Sequence, residues 1–135
     1  MSQTNSNQTN SNPINQINKI YERPWGTYRT LDIGPNFQVK LIHIIPGGRL
    51  SLQSHIHREE HWVITQGYVT VTLNNTQTVY SPSQHIFIPK QAIHRLENLS
   101  QSPVELIEVQ LGDYLGEDDI KRYEDIYGRL ENKKI

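Results

Sequence analysis

Apolar and polar side chains alternate with a period of two through most of this chain, in short runs punctuated by glycine, proline and asparagine. That is the pattern of half-buried β-strands. In 37–45, Val39, Leu41, His43 and Ile45 alternate with Gln38, Lys40, Ile42 and Ile44. Both sets contain apolar residues, as in a strand covered on both faces over part of its length. Pro46, Gly47 and Gly48 end the run as a turn. Further strands are predicted over 50–55, 60–65, 68–73, 77–80, 84–88, 92–96 and 104–111, with Asn74 and Asn75 as a hairpin turn. There is no βαβ rhythm and no repeat, so the fold class is all-β, a sandwich or barrel. One short C-terminal helix is predicted within 116–127, where Ile120, Tyr123, Ile126 and Tyr127 fall at helical spacing. Glu117, Asp118 and Asp119 suit its start and Gly128 its stop, and the helix is expected to close one mouth of the barrel.

Of residues 1–18, 14 are Ser, Thr, Asn or Gln. Such a stretch cannot bury enough surface to offset its ordering entropy, so 1–19 is predicted to be a disordered polar arm. The rival reading is a short edge or partner-binding strand around Ile14 to Ile20. The folded domain is expected over 20–129, followed by a frayed tail, 130–135. At 135 residues the chain has the length of one domain. The absence of cysteine excludes disulfides, thiolate zinc sites and cysteine nucleophiles. With 13 Lys and Arg against 14 Asp and Glu, nothing in the bulk charge argues for nucleic acid. No apolar run approaches the roughly 18 residues of a membrane span, and the polar N-terminus has no signal-peptide core, so a cytoplasmic location is expected.

Chemistry concentrates between Pro46 and Trp62. Three of the six histidines, His55, His57 and His61, lie within seven residues. In an extended strand Gln53, His55 and His57 share a face. On the next strand Glu60, Trp62 and Ile64 share one, with His61 opposite. His94, on a later strand, can join them. Inward polar groups in a small barrel are costly unless paired or metal-bound, which makes His55, Glu60 and His94 the candidate ligands. Imidazole and carboxylate without thiolate suit Zn, Mn, Co, Ni or Fe in a site open to water. His43 and His85 read as rim or core histidines.

Gly47-x5-Gln53-x-His55-x4-Glu60-x6-Gly67 resembles the first motif of the cupin superfamily, with Gln53 in place of its first histidine. Pro89-x4-His94-x3-Asn98 resembles the second, with Gln91 and Ser83 where glycines are usual. The resemblance extends to type II mannose-6-phosphate isomerases. It is carried by Arg23-Pro-Trp-Gly-x-Tyr28, Leu50-Ser-Leu-Gln53, His57-Arg-x-Glu-His-Trp62, His94-Arg-Leu-Glu-Asn98, Ile107-Glu-Val-Gln-x-Gly112, Tyr114-Leu-Gly-Glu-Asp-Asp-Ile120 and Asp125-x-Tyr-Gly-Arg129. It implies a cupin-type jelly-roll β-barrel over 20–129 that holds one divalent metal, most simply Zn. In this family the cupin is often the C-terminal half of a bifunctional enzyme whose other half is a mannose-1-phosphate guanylyltransferase. No glycine-rich nucleotide loop occurs in these 135 residues.

The implied reaction interconverts mannose 6-phosphate and fructose 6-phosphate by proton transfer between C1 and C2. It needs an electrophile, a base and a phosphate clamp. The resemblance makes Gln53, His55, Glu60 and His94 the ligand set; side-chain chemistry alone favours His57 over Gln53 as the fourth. Candidates for proton transfer are His57, Glu97 and Glu60, then Asp118 or Asp119. Arg58 resembles a catalytic arginine of the family. Arg58, Arg95, Lys40 and Lys90 are candidates for the phosphate, against surface pairing of the arginines with Glu59, Glu97 or Glu105. The alternative function is a non-catalytic, metal-holding cupin that binds a sugar, sugar phosphate or sugar nucleotide, or docks on a separate guanylyltransferase. A homodimer formed by exchanged N-terminal strands, with Tyr21 and Trp25 as anchors, is expected.

Overall fold

The computed structural model describes residues 14–128, which contain eleven strands and no helix. They are β1 (Ile20–Arg23), β2 (Gly26–Ile33), β3 (Phe37–Ile44), β4 (Leu52–Ser54), β5 (Arg58–Gln66), β6 (Val69–Leu73), β7 (Thr76–Tyr80), β8 (His85–Ile88), β9 (His94–Glu97), β10 (Val104–Gly112) and β11 (Lys121–Glu124). One sheet has the order β1-β2-β3-β10-β5-β8 and the other β11-β4-β9-β6-β7. Every pairing of neighbouring strands is antiparallel. The strands predicted from Phe37 onwards are present with shifted ends; β1 and β2 were not foreseen. No ladder among the described residues joins the sheets into the closed barrel that was expected.

The inner face of the first sheet is divided along its strands. Toward one end it is apolar, with Ile42 and Ile44 of β3, Val104 and Leu106 of β10, Trp62 and Ile64 of β5 and Ile86 and Ile88 of β8 packed against Val69, Val71 and Leu96 of the second sheet. Fully burying one such side chain stabilises the fold by about 1.5–3 kcal/mol. Toward the other end the same inward positions carry Thr30, Gln38, Lys40, Glu108, Gln110, Glu60 and Arg58, all buried. The polar half holds together because each row is cross-paired. Gln38 Nε2 donates to Gln110 Oε1 at 3.0 Å, Gln110 Nε2 to Glu108 Oε2 at 2.6 Å, and Thr30 Oγ1 to Gln38 Oε1 at 2.9 Å. Buried polar groups are tolerated on those terms.

The predicted helix is replaced by turns and β11. Twelve residues make a marginal helix on their own, and the segment gains more from the sheet. Arg122 pairs with Gln53, and Asp119 turns its carboxylate onto the backbone amides of Ile56 at 3.0 Å and His57 at 2.9 Å. Residues 1–13 of the predicted arm and the predicted tail, 130–135, lie outside the described residues. Residues 14–19, assigned to the arm, rest on the domain. Asn15 is buried, donates to Gln38 Oε1 and Glu117 Oε2 at 2.9 Å each, and accepts from the Tyr28 hydroxyl at 3.0 Å. One asparagine thereby satisfies three inward polar groups.

Two glycines are set by close approach. A Cβ on Gly26, whose φ is 151°, would lie 1.9 Å from the carbonyl oxygen of His43, and one on Gly112 would lie 2.2 Å from that of His57.

Candidate metal centre

His55, Glu60 and His94 converge where the polar half of the first sheet faces the second. One potential ligand atom from each lies within 4.8 Å of the others, and all three side chains are buried. His55 follows β4, Glu60 sits on β5 and His94 opens β9, with Gln53 the cross-strand partner of His94. His55 Nδ1 lies 2.7 Å from the carbonyl oxygen of Asp119 and His94 Nδ1 lies 2.9 Å from that of Ala92. A carbonyl can only accept, so both Nδ1 atoms carry the proton and both Nε2 atoms offer a lone pair. This is the tautomer of metal-ligating histidine. Burial pushes His55 down to about 4 and lowers His94, which keeps both neutral.

Arg58 meets the same acceptors. Its Nε donates to Glu60 Oε2 at 2.8 Å and its Nη2 to His55 Nε2 at 3.2 Å, while Trp62 Nε1 donates to Glu60 Oε1 at 2.9 Å. Burial alone would raise the Glu60 pKa, but Arg58, His55 and His94 together hold the carboxyl well below the usual carboxylate range. A charged carboxylate and two imidazole Nε2 lone pairs converging within 4.8 Å of one another, with a cation already drawn to them, fit a divalent metal. Gln53 directs its Nε2 to Ser51 Oγ at 2.9 Å, which leaves Oε1 as its donor atom.

These residues floor a cavity of about 690 Å³, counting its open mouth. Lys40, Arg58, Glu108, Glu117, Trp25, Tyr28 and Arg122 also line it. Lys40 Nζ is 2.7 Å from Glu117 Oε2, and 4.3 Å above the Tyr28 ring. Burial would raise Glu117, but Lys40 and Arg58 outweigh it and hold this carboxyl low. For Glu108 burial, then the charge of Glu60, outweigh the lowering by Lys40, Arg58 and the Gln110 hydrogen bond and push it up to about 7.

The other residues singled out from sequence fall elsewhere. His57 is half-exposed, 3.8 Å from Asp113 and edge-on to Tyr114, because the chain bends at Ile56 and His57 where Asp119 takes their amides. The bend breaks the alternation that would have set His57 beside Gln53 and His55. Glu97 is buried against Arg49 at 2.8 Å and does not line the cavity. Arg95 borders the cavity, but its Nη2 donates to Glu124 Oε1 at 2.7 Å. Lys90 is exposed. Asp118 and Asp119 border a separate depression with His57 and Tyr114. Among the described residues no helix is long and apolar enough to cross a membrane.

Two facing antiparallel sheets with a His/His/Glu cluster between them define a cupin, and the fold is similar to that of the Schizosaccharomyces pombe Cnp3 cupin domain (TM-score 0.62, 19% identity, 64% of each chain covered). The match to the family described as mannose-6-phosphate isomerase C-terminal runs over residues 9–125, and the chain belongs to that family. It is 51% identical over 107 residues to the alginate biosynthesis protein AlgA of Pseudomonas aeruginosa, covering 79% of this chain and 22% of that one. It is 48% identical over 108 residues to the mannose-1-phosphate guanylyltransferase ManC of Salmonella typhimurium, covering 80% of this chain and 22% of that one. The chain thus spans less than a quarter of the length of these relatives.

Proposed function

We propose that the protein is a metal-dependent aldose–ketose isomerase that interconverts mannose 6-phosphate and fructose 6-phosphate. The observation that carries this reading is the convergence of His55, Glu60 and His94 in a cation-lined cavity, in a chain whose family is described by that isomerase. His55 Nε2, His94 Nε2 and Glu60 would hold one divalent ion, with Gln53 Oε1 as the fourth donor. Zn suits these donors best, and Mn, Co, Ni and Fe share them. When bound, the ion supplies Lewis acidity toward the carbonyl and hydroxyl oxygens of the sugar.

The chain's own groups bind and orient. Lys40 and Arg58 are buried cations at the cavity wall, and Arg122 reaches it from β11 in register with Gln53. Guanidinium and ammonium groups held at a buried wall attract a phosphate dianion more firmly than in water. Arg95 also borders the cavity, paired with Glu124 as Lys40 is with Glu117, whereas Lys90 is exposed and does not line it. Trp62 and the two backbone carbonyls on the histidines fix the ligand orientations. Pairing of two copies through the N-terminal strand belongs to the same proposal. It is supported by β1 at the free edge of its sheet, with Ile20 exposed.

The test is turnover of mannose 6-phosphate by metal-loaded protein, read by enzymes coupled to fructose 6-phosphate, with a chelated sample beside it. Turnover lost on chelation and in His55→Ala is expected. Full metal occupancy without turnover would favour a second reading, a metal-holding cupin that docks on a separate guanylyltransferase. The name of the Salmonella relative, a mannose-1-phosphate guanylyltransferase, supports that alternative.

A further inference from the structure

The isomerisation proposed above needs a group that takes a proton from one sugar carbon and returns it to the next. Among the described residues, the carboxylates lining the cavity are Glu60, Glu108 and Glu117. Glu60 belongs to the ligand cluster and is held by Arg58 and Trp62. Glu117 is held by Lys40 and by Asn15. Glu108 is different. It sits on β10 between Lys40 on one side and Trp62 on the other, diagonal to Glu60 across the β5–β10 ladder. Such diagonal residues are roughly 7–8 Å apart along the sheet, and both side chains line the same cavity. Only its Oε2 takes a hydrogen bond, from Gln110 at 2.6 Å. Glu108 lines the cavity, and among the described residues none donates a hydrogen bond to its Oε1.

Resting on that reading, we propose that Glu108 is the catalytic base, the group that carries the proton between C2 and C1 of the hexose phosphate. Oε1 takes the C2 proton. The C–H pair becomes the C1=C2 bond of an enediolate, and the carbonyl pair moves onto O1. The hydroxyl proton passes from O2 to O1, the O2 pair restores a carbonyl at C2, and Glu108 returns its proton to C1. No other reactant is consumed, and the carboxylate is regenerated. Gln110, in turn held by Gln38, fixes the plane of the carboxylate and leaves one oxygen to act.

The experiment compares wild type, Glu108→Gln and Glu108→Asp, all metal-loaded, in deuterated water. Metal content is read by mass spectrometry, mannose 6-phosphate binding by calorimetry, and deuterium uptake at C1 and C2 by NMR. Glu108→Gln is expected to keep its metal and bind the sugar phosphate near the wild-type affinity, while exchange falls by about 100-fold or more. Should that variant not fold, Glu108→Asp, which moves the carboxylate back, is expected to bind normally and exchange at least about tenfold more slowly. Unchanged exchange in a variant that folds overturns the assignment, as does loss of metal or binding in step with exchange. A wild type that neither binds nor exchanges the sugar phosphate overturns the isomerase reading and this inference with it, whereas an active wild type with an equally active Glu108→Gln overturns this inference alone.

Discussion

Arg58→Met separates the roles of the arginine and of the metal it stands beside. The guanidinium spans Glu60 Oε2 and His55 Nε2, and both residues are almost wholly buried, at 2% and 3% exposure. Methionine keeps much of the apolar stem and removes the charge. Glu60 is then a buried carboxylate whose hydrogen bond comes from Trp62 Nε1. Breaking a buried pair in this way costs about 3–5 kcal/mol; with Trp62 retained, about 3 kcal/mol is expected for the metal-free protein. At this chain length that corresponds to a fall in Tm of roughly 10 °C. A bound divalent ion restores a cation to the same acceptors. Wild type should gain about 2.7 kcal/mol at a free metal concentration of 100 times Kd, and Arg58→Met should gain more at the same concentration. The assay is urea unfolding of both proteins with metal and with chelator, and Glu60→Gln/Arg58→Met as the control that removes the stranded charge. Metal-free Arg58→Met within about 0.5 kcal/mol of wild type, the usual scale of a neutral surface change, would refute the reasoning. So would equal metal increments in the two proteins.

Two further outcomes concern the metal-free protein. His55, lowered by burial to about 4, and His94, also lowered, bind fewer protons folded than unfolded, so each withdraws up to about 1.4 kcal/mol of stability per pH unit as pH falls below 6.5. Glu108, raised by burial to about 7, acts in the opposite sense above 4.5, and Glu60, held low, withdraws stability below 4.5. Stability should therefore fall on acidification from pH 6.5 and fall faster below 4.5. Glu108→Gln should roughly double the slope between 4.5 and 6.5, and a flat denaturation profile there contradicts the assignment. Ser83 and Gln91 occupy left-handed backbone, with φ of 79° and 68°. Ser83→Gly and Gln91→Gly should each stabilise by about 0.5–1 kcal/mol, net of glycine's unfolded-state entropy, and chemical denaturation reads the change.

Those two positions show what the sequence could and could not disclose. They stand where cupins usually carry glycine, and the backbone keeps the glycine conformation. The Gln91 amide still ties the second motif to the first through the His55 carbonyl at 2.7 Å. His55, Glu60 and His94 were legible because alternation on β5 and the order of the motifs constrain them directly. His57 lies apart from the cluster because alternation holds only while a strand runs on, and the side chain that bends it, Asp119, lies more than sixty residues away. Glu97 lies off the cavity because it pairs with Arg49, which comes from before β4, a long-range contact that local pattern does not show. The helical periodicity at 116–127 falls in a segment too short to hold a helix, and β11, which forms there instead, brings Arg122 to the cavity.

Glu108 carries a signal in the sequence. On β3 the inward residues Gln38 and Lys40 are polar while Val39 and Leu41 face out, and on β10 Glu108 and Gln110 face in while Ile107, Val109 and Leu111 face out. Two neighbouring strands that invert their polarity at the same end mark a polar interior. The partnership of β3 with β10, which aligns those inversions, is a long-range pairing that local pattern cannot supply.

The most direct test titrates a divalent metal into chelated protein while metal occupancy and fructose 6-phosphate formation from mannose 6-phosphate are read on the same samples. The account predicts that turnover rises in proportion to occupancy, levels off at one ion per chain, and disappears with the ion in His94→Ala. Turnover that ignores occupancy, or its absence at full occupancy, would contradict it.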